Sequence, residues 1–272
     1  MEIVFVRLVV FALLNYLTSM HRGNIESGRT KFSSGIVAEF WKPNRESQKA
    51  LIICDGAPGL HSKRDLGEFF ARKGYWAFQF RYRGTWESEG EFLRQSPARD
   101  VDDVIHGIQK KFREAWTGAT YHPSIKEMLI LGVSFGGAAA ILASQNSLVM
   151  KVIAIAPVVD WNKSTKEEPF SEFIRQIKDG YPGAYRCPKN NLYKLRTKNF
   201  YNTVDSVLTL DGKKIFLMCA RDDHSVPYLP TKKLAQKIGA TYVERARGGH
   251  LSGMIVTHPI IWKRIHKFLK KA

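Results

Sequence analysis

Ser134 stands between Gly132 and Gly136 in "ILGVSFGGAAA", residues 130–140, after an apolar run and before a run of small residues. A hydroxyl held on so tight a turn is a candidate nucleophile. The same spacing also suits a helix that packs closely on a sheet through Gly137 and Ala138–Ala140. Partners decide between the two. A serine hydroxyl is inert without a base, and the base needs a carboxylate to orient it.

Of the eight histidines, His250 lies in the glycine-rich stretch "RARGGHLSG" just after an apolar run. His224 competes because it neighbours acids, but it suits better a residue flanking the orienting group. His266 sits in the basic C-terminal stretch and His258 precedes Pro259, so both read as helix residues. For the carboxylate, "FLMCARDDHSVPY" ends a buried-looking strand with two adjacent acids. A buried acid there is costly without a partner. Asp222 could equally serve as a helix cap or pair with Arg221, so the residues leave the choice open.

These groups meet only if the elements between them bring their ends to one edge. Short apolar runs at 35–41, 50–54, 75–80, 127–133, 151–157, 213–220 and 241–246 predict strands. Their near-continuous hydrophobicity suits a parallel sheet covered on both faces. Between them, apolar residues at helical spacing predict helices over 63–74, 96–112, 136–147, 230–238 and 259–270. Gly74 is placed to close the first of these and Ser96-Pro97 to open the second. Strand–helix alternation implies an open α/β sheet with right-handed crossovers. The 51 residues from Asn162 to Gly212 exceed any ordinary crossover. They read as two or three helices forming a cap over the carboxyl edge, where ligands bind in such folds.

The order Ser134, Asp223, His250 resembles the Ser…Asp…His order of the α/β-hydrolase superfamily. "ARDDHSVP" is similar to that superfamily's strand-end segment, in which the acid precedes a Val-Pro pair, and aligning on Val226-Pro227 selects Asp223 rather than Asp222. "CDGAPG", residues 54–59, resembles the His-Gly-x-x-Gly turn that supplies one oxyanion amide, with Asp55 in the place of the histidine. "RYRGTWESEGEF", residues 81–92, resembles the Arg-Gly-x-x-x-Ser-x-Gly loop of the esterase and prolyl-oligopeptidase-related branches. The resemblance runs from about residue 35 to the C-terminus. It implies an α/β-hydrolase fold: a mostly parallel sheet flanked by helices, with a helical cap insertion at about 162–212.

The resemblance also implies roles. Ser134 is the nucleophile, His250 the base, Asp223 its orienting acid, and the backbone N–H groups of Ala57 and Phe135 the oxyanion donors. The reaction expected is hydrolysis of a small acyl ester through an acyl-enzyme. A prolyl-oligopeptidase-like serine peptidase is the alternative, though 272 residues leave no room for the propeller of such enzymes. A membrane-peripheral lipase or thioesterase is a further one, and a non-catalytic scaffold is disfavoured by the complete set. No cofactor and no metal are expected, because no phosphate-cradling loop or ligand cluster is visible.

Bulk properties constrain the setting. Three cysteines, Cys54, Cys187 and Cys219, have neither metal nor disulfide spacing, which points to a reducing, cytoplasmic compartment. The net charge of +17 would suit nucleic acid, anionic lipid or a merely solvated surface. No nucleic-acid motif accompanies it, so dedicated nucleic-acid binding is not expected and an anionic membrane surface is kept as a partner. Residues 1–30 form an apolar extension. Its run from Ile3 to Leu17 is shorter than the ~20 residues of a spanning helix and is interrupted by Arg7 and Asn15. A docking helix ranks first there, a peripheral anchor second and a secretory signal third, with the hydrolase domain at 31–272.

Overall fold

Glu127–Val133 (β7) is apolar at every interior position and buried on both faces, as only a central strand of a covered sheet can be. In the computed structural model, which describes residues 24–59, 63–181 and 183–271, it is such a strand. The strands before it are β1 (Ser27–Lys31), β2 (Val37–Trp41), β3 (Lys49–Cys54), β4 (Trp76–Phe80), β5 (Phe112–Arg113) and β6 (Thr120–Tyr121). After it come β8 (Val149–Ile155), β9 (Ile215–Ala220) and β10 (Thr241–Arg245). Eight of them form one sheet in the order β1-β2-β4-β3-β7-β8-β9-β10, and β5-β6 is a separate small hairpin. From β4 to β10 all neighbours are parallel, while β1 and β2 join antiparallel. This is the mostly parallel, helix-flanked architecture expected.

The helices are α1 (Arg64–Arg72), α2 (Pro97–Ile108), α3 (Phe135–Ala143), α4 (Phe170–Arg175), α5 (Lys189–Tyr193), α6 (Tyr228–Ile238) and α7 (Pro259–Leu269). Leu66 and Phe70 of α1, with Ile261, Ile265 and Phe268 of α7, bury against one face of the sheet. The apolar stripe of α2, the alanines of α3 and Leu234 of α6 cover the other. Full burial of a side chain such as Phe70 contributes roughly 2 kcal/mol, so each helix is held by its stripe more than by propensity. Gly74, at φ +89°, ends α1 by donating its N–H to the Ala71 carbonyl at 2.9 Å, the closure its position predicts. Pro97 opens α2, but Ser96 precedes it without a capping side-chain bond.

Two elements lack the pattern that would reveal them. β1 is "SGRTK", in which only Thr30 is buried. It pairs along β2 from Ser27 to Lys31, so residues 27–30, read above as the end of the N-terminal extension, lie in the sheet. The docking-helix, anchor and signal readings rest on the run Ile3–Leu17, which lies outside the described residues. β5 and β6 are two residues each, too short for periodicity to register.

The insertion between β8 and β9 contains α4, a π-helical turn at Gln176–Gly180, α5 and short 3₁₀ turns. The loop after β4 clamps it. Phe92 and Trp86 donate their N–H groups to the carbonyls of Arg186 and Ala184, and Arg186 returns its own to Gly84, each at 2.8 Å. The Arg186 guanidinium adds a bond to the Trp86 carbonyl at 2.8 Å. The segment resembling Arg-Gly-x-x-x-Ser-x-Gly is therefore the cap's foundation.

Candidate active site

β7 runs into α3 with a single residue between them, Ser134, at φ +52° and ψ −118°. Side chains seldom adopt that backbone, and it persists here because the surroundings over-determine it. A Cβ on Gly132 would fall 2.3 Å from the Gly136 carbonyl oxygen, and one on Gly136 would fall 2.1 Å from that of Cys54. The two flanking glycines are thus required by close backbone approach. The turn leaves Ser134 and Phe135 on the wall of a cavity of about 730 Å³ at the carboxyl edge of the sheet. Phe135 is the first residue of α3, so its N–H has no helical carbonyl to bond.

The loop after β10 brings His250 to the same cavity. Its Nδ1 lies 2.9 Å from Asp223 Oδ2. A carboxylate can only accept, so Nδ1 donates and Nε2 is left as an acceptor. The Asp223 side chain is 1% exposed and His250 33%, so the acid is sealed behind a ring that still reaches the cavity. The other Asp223 oxygen accepts the N–H groups of Ser225 and Val226, both at 2.9 Å. That turn explains the spacing from acid to Val-Pro. Pro227 then precedes the first residue of α6.

Asp222 does something different. Its two oxygens accept the N–H groups of Gly249 at 2.9 Å and Gly248 at 3.1 Å, holding the histidine loop. These bonds depress its pKa. Arg221 pairs instead with Glu244. His224 is exposed, and His266 stacks on Trp262 at 6.0 Å, so neither reaches the cavity.

The turn at 54–59 lies directly against Ser134, since a Cβ on Gly56 would be 3.5 Å from the serine's. Ala57 lines the cavity with it. Asp55, where the resemblance leads one to expect a histidine, accepts the Gly56 N–H at 2.9 Å and faces the Lys63 ammonium at 3.4 Å. Burial raises its pKa, and Lys63 opposes that rise. Gln79 joins the cluster, accepting the Lys63 N–H at 2.8 Å. Three tyrosines complete the support. Tyr82 donates to the Asp55 carbonyl at 3.0 Å, Tyr201 donates to the Phe135 carbonyl at 2.8 Å, and Tyr185, from the cap, accepts the Gly59 N–H at 3.1 Å. Burial pushes all three phenols up. Nothing in the local sequence marks these tyrosines, because their partners lie far away in the chain.

The structure therefore brings Ser134, His250, Ala57 and Phe135 to one cavity and ties His250 to Asp223. Trp161, Phe170, Phe173 and Tyr181 supply aromatic walls, and Lys63, Lys163, Arg175 and Glu168 the charges on them. The cysteines are free, with Cys54 and Cys219 buried and Cys187 half-buried. Among the described residues no cluster of His, Cys, Asp and Glu could hold a metal ion.

Residues 65–247 match the prolyl oligopeptidase family. The chain belongs to that family. Its members are serine hydrolases of the α/β-hydrolase fold, and the sheet, helices and elbow described above are that fold. The esterase Pf2001 of Pyrococcus furiosus is similar, with a TM-score of 0.64 at 17% identity over 91% of this chain and 90% of that one. So is the acylaminoacyl peptidase of Pyrococcus horikoshii, with a TM-score of 0.67 at 18% identity, over 94% of this chain but 42% of that longer enzyme. No curated protein matches the chain at a significant level. In this prolyl oligopeptidase family protein, the family match covers the elbow and the acid and stops before His250.

Proposed function

We propose that the protein hydrolyses carboxylic esters of small acyl compounds through an acyl-enzyme on Ser134. The observation that carries the reading is the His250–Asp223 pair at 2.9 Å, opening onto the same cavity as the strained Ser134 elbow. In this mechanism His250 Nε2 takes the hydroxyl proton as Oγ attacks the acyl carbonyl. Asp223 holds the imidazole in the required tautomer and stabilises the imidazolium. The N–H groups of Ala57 and Phe135 receive the developing oxyanion, a contribution of roughly 3 kcal/mol for each donor. The imidazolium returns its proton to the departing alkoxide. Water, activated by the same ring, then releases the acid.

The cavity wall supports ester over peptide. Trp161, Phe170 and Phe173 offer an apolar surface suited to an acyl chain. Its charges do not gather as acids: Asp55 faces Lys63, Arg175 pairs with Glu172, and Glu168 shares the wall with Lys163. A site for a peptide's amino terminus would need acids there instead. Peptidase activity is the second reading, favoured by family membership alone. A fluorophosphonate probe will label the wild-type protein at Ser134, and Ser134→Ala will abolish labelling. Labelling that persists in the variant overturns the assignment. Turnover of p-nitrophenyl acyl esters will exceed that of the matching peptide p-nitroanilides. Equal or faster amide cleavage makes the protein a peptidase.

A further inference from the structure

The amino edge of the sheet, opposite the cavity of Ser134, gathers several lysines without ion-pair partners among the described residues. β3, β7 and β8 begin there, β9 follows directly from Lys213 and Lys214, and α7 ends there in Lys270 and Lys271. Together they enclose a second cavity, of about 470 Å³. The acids at this edge are engaged. Glu127 pairs with Lys49 at 3.2 Å, and Asp211 accepts the Lys213 N–H at 3.0 Å. Lys213, Lys214, Lys270 and Lys271 have no ion-pair partner among the described residues. Met150 stands among them, 52% exposed.

Favourable interaction with the helix dipole explains lysines at the end of α7. It does not explain Lys213 and Lys214, which precede a strand, nor an exposed methionine among cations. A second observation comes from where the chain enters the fold. Ser27 pairs with Trp41, and Trp41 with Ala77 near the start of β4, so β1 also begins at the amino edge. The described chain therefore starts at the same edge as these lysines, and the apolar run Ile3–Leu17 precedes it in the sequence. One amphipathic signal alone gives weak, reversible membrane attachment, whereas an apolar segment combined with a basic patch gives a stable one.

We propose that this edge docks on an anionic phospholipid bilayer, with Lys213, Lys214, Lys270 and Lys271 at the headgroups, Met150 inserted between them, and the N-terminal apolar run as the second anchor. β7 spans seven residues from this edge to Ser134, or roughly 23 Å at ~3.3 Å per residue. The Ser134 cavity then opens away from the bilayer, and its substrates arrive from the aqueous phase rather than from the lipid beneath. A nucleic acid would satisfy the lysines but has no use for Met150 or the apolar run.

The test uses the full chain and vesicles of phosphatidylcholine with and without phosphatidylserine. The protein will sediment with the serine-containing vesicles and be released by salt. Neutralising the four lysines to Gln will weaken this binding about a thousandfold, at roughly five- to sixfold per lysine. Fluorophosphonate labelling will report that the variant remains folded. For orientation, an environment-sensitive fluorophore is attached after Met150→Cys or Met254→Cys, each with Cys187→Ser. Vesicles will blue-shift the label at position 150 and leave that at 254, on the cavity side, unchanged. Equal binding to both vesicle types, no binding, or a shift at 254 instead overturns the proposal. So does a label at 150 that is already shifted without lipid, which would mean that this chain's own N-terminal run covers the edge. Preferential binding of RNA through the same lysines overturns it too.

Discussion

The elbow at Ser134 and the turn at 54–59 touch, yet they are built by opposite means. The elbow is fixed sterically: a Cβ at residue 136 or 132 would meet a backbone oxygen at 2.1 or 2.3 Å, which leaves room only for hydrogen. The turn carrying Asp223 is similarly local, closed by bonds from the N–H groups of Ser225 and Val226 just beyond it, whereas the histidine loop is tied to Asp222 across the intervening strand. The 54–59 turn has no such economy. It is held by Tyr82, by Lys63 and Gln79, and by Tyr185 reaching from a cap that is itself clamped to the loop after β4. Where geometry is enforced at short range, few residue types satisfy it and a motif results. Where it is enforced at long range, any properly placed donor will serve and no motif need appear.

The largest test of this contrast lies in the two adjacent acids. Asp223→Asn preserves the bonds to Ser225 and Val226 but presents an N–H₂ to His250 Nδ1, forcing the wrong tautomer. Its kcat on a short p-nitrophenyl ester will fall by about 10⁴ with unchanged thermal stability. Asp222→Asn loses one of two loop bonds and will cost only a few-fold. A loss confined to Asp222 would reverse the assignments. Next, Gly136→Ala drives a methyl into the Cys54 carbonyl, and chemical denaturation will show a stability loss of at least about 3 kcal/mol, since backbone must move. A loss below 1 kcal/mol would mean that the elbow is not sterically fixed.

The smallest effect sharpens the long-range side. Asp100 accepts the Arg83 N–H at 3.0 Å and so supports the loop that clamps the cap. Burial raises its pKa to about 6, against the opposing bonds from Arg83 and Gln95. A carboxyl raised above its unfolded value holds more protons in the folded state than in the unfolded one. Its contribution therefore declines as pH rises from about 4 to about 6, by up to roughly 3 kcal/mol, and levels off above. Urea titrations of wild type and Asp100→Asn across that interval will show the slope only in the wild type. Parallel slopes would remove Asp100 as its source.

The sequence made the parallel strands and main helices legible, because strands buried on both faces must be apolar throughout and covering helices must carry a stripe. It also singled out Ser134 as a candidate through a steric demand acting over a few residues, and Asp223 and His250 through chain order and the resemblance of "ARDDHSVP" to a known strand end. It did not reveal β1 or the β5–β6 hairpin, whose residues are polar or too few to show a period. Nor did it reveal the tyrosines behind the 54–59 turn, the separate work of Asp222, or the gathering of Lys213, Lys214, Lys270 and Lys271 on one edge. Those follow from strand order and crossover direction, which set residues far apart in the chain side by side. Tertiary packing alone decided them, because an interaction between distant segments constrains where a residue lies in space and not what stands next to it in the chain.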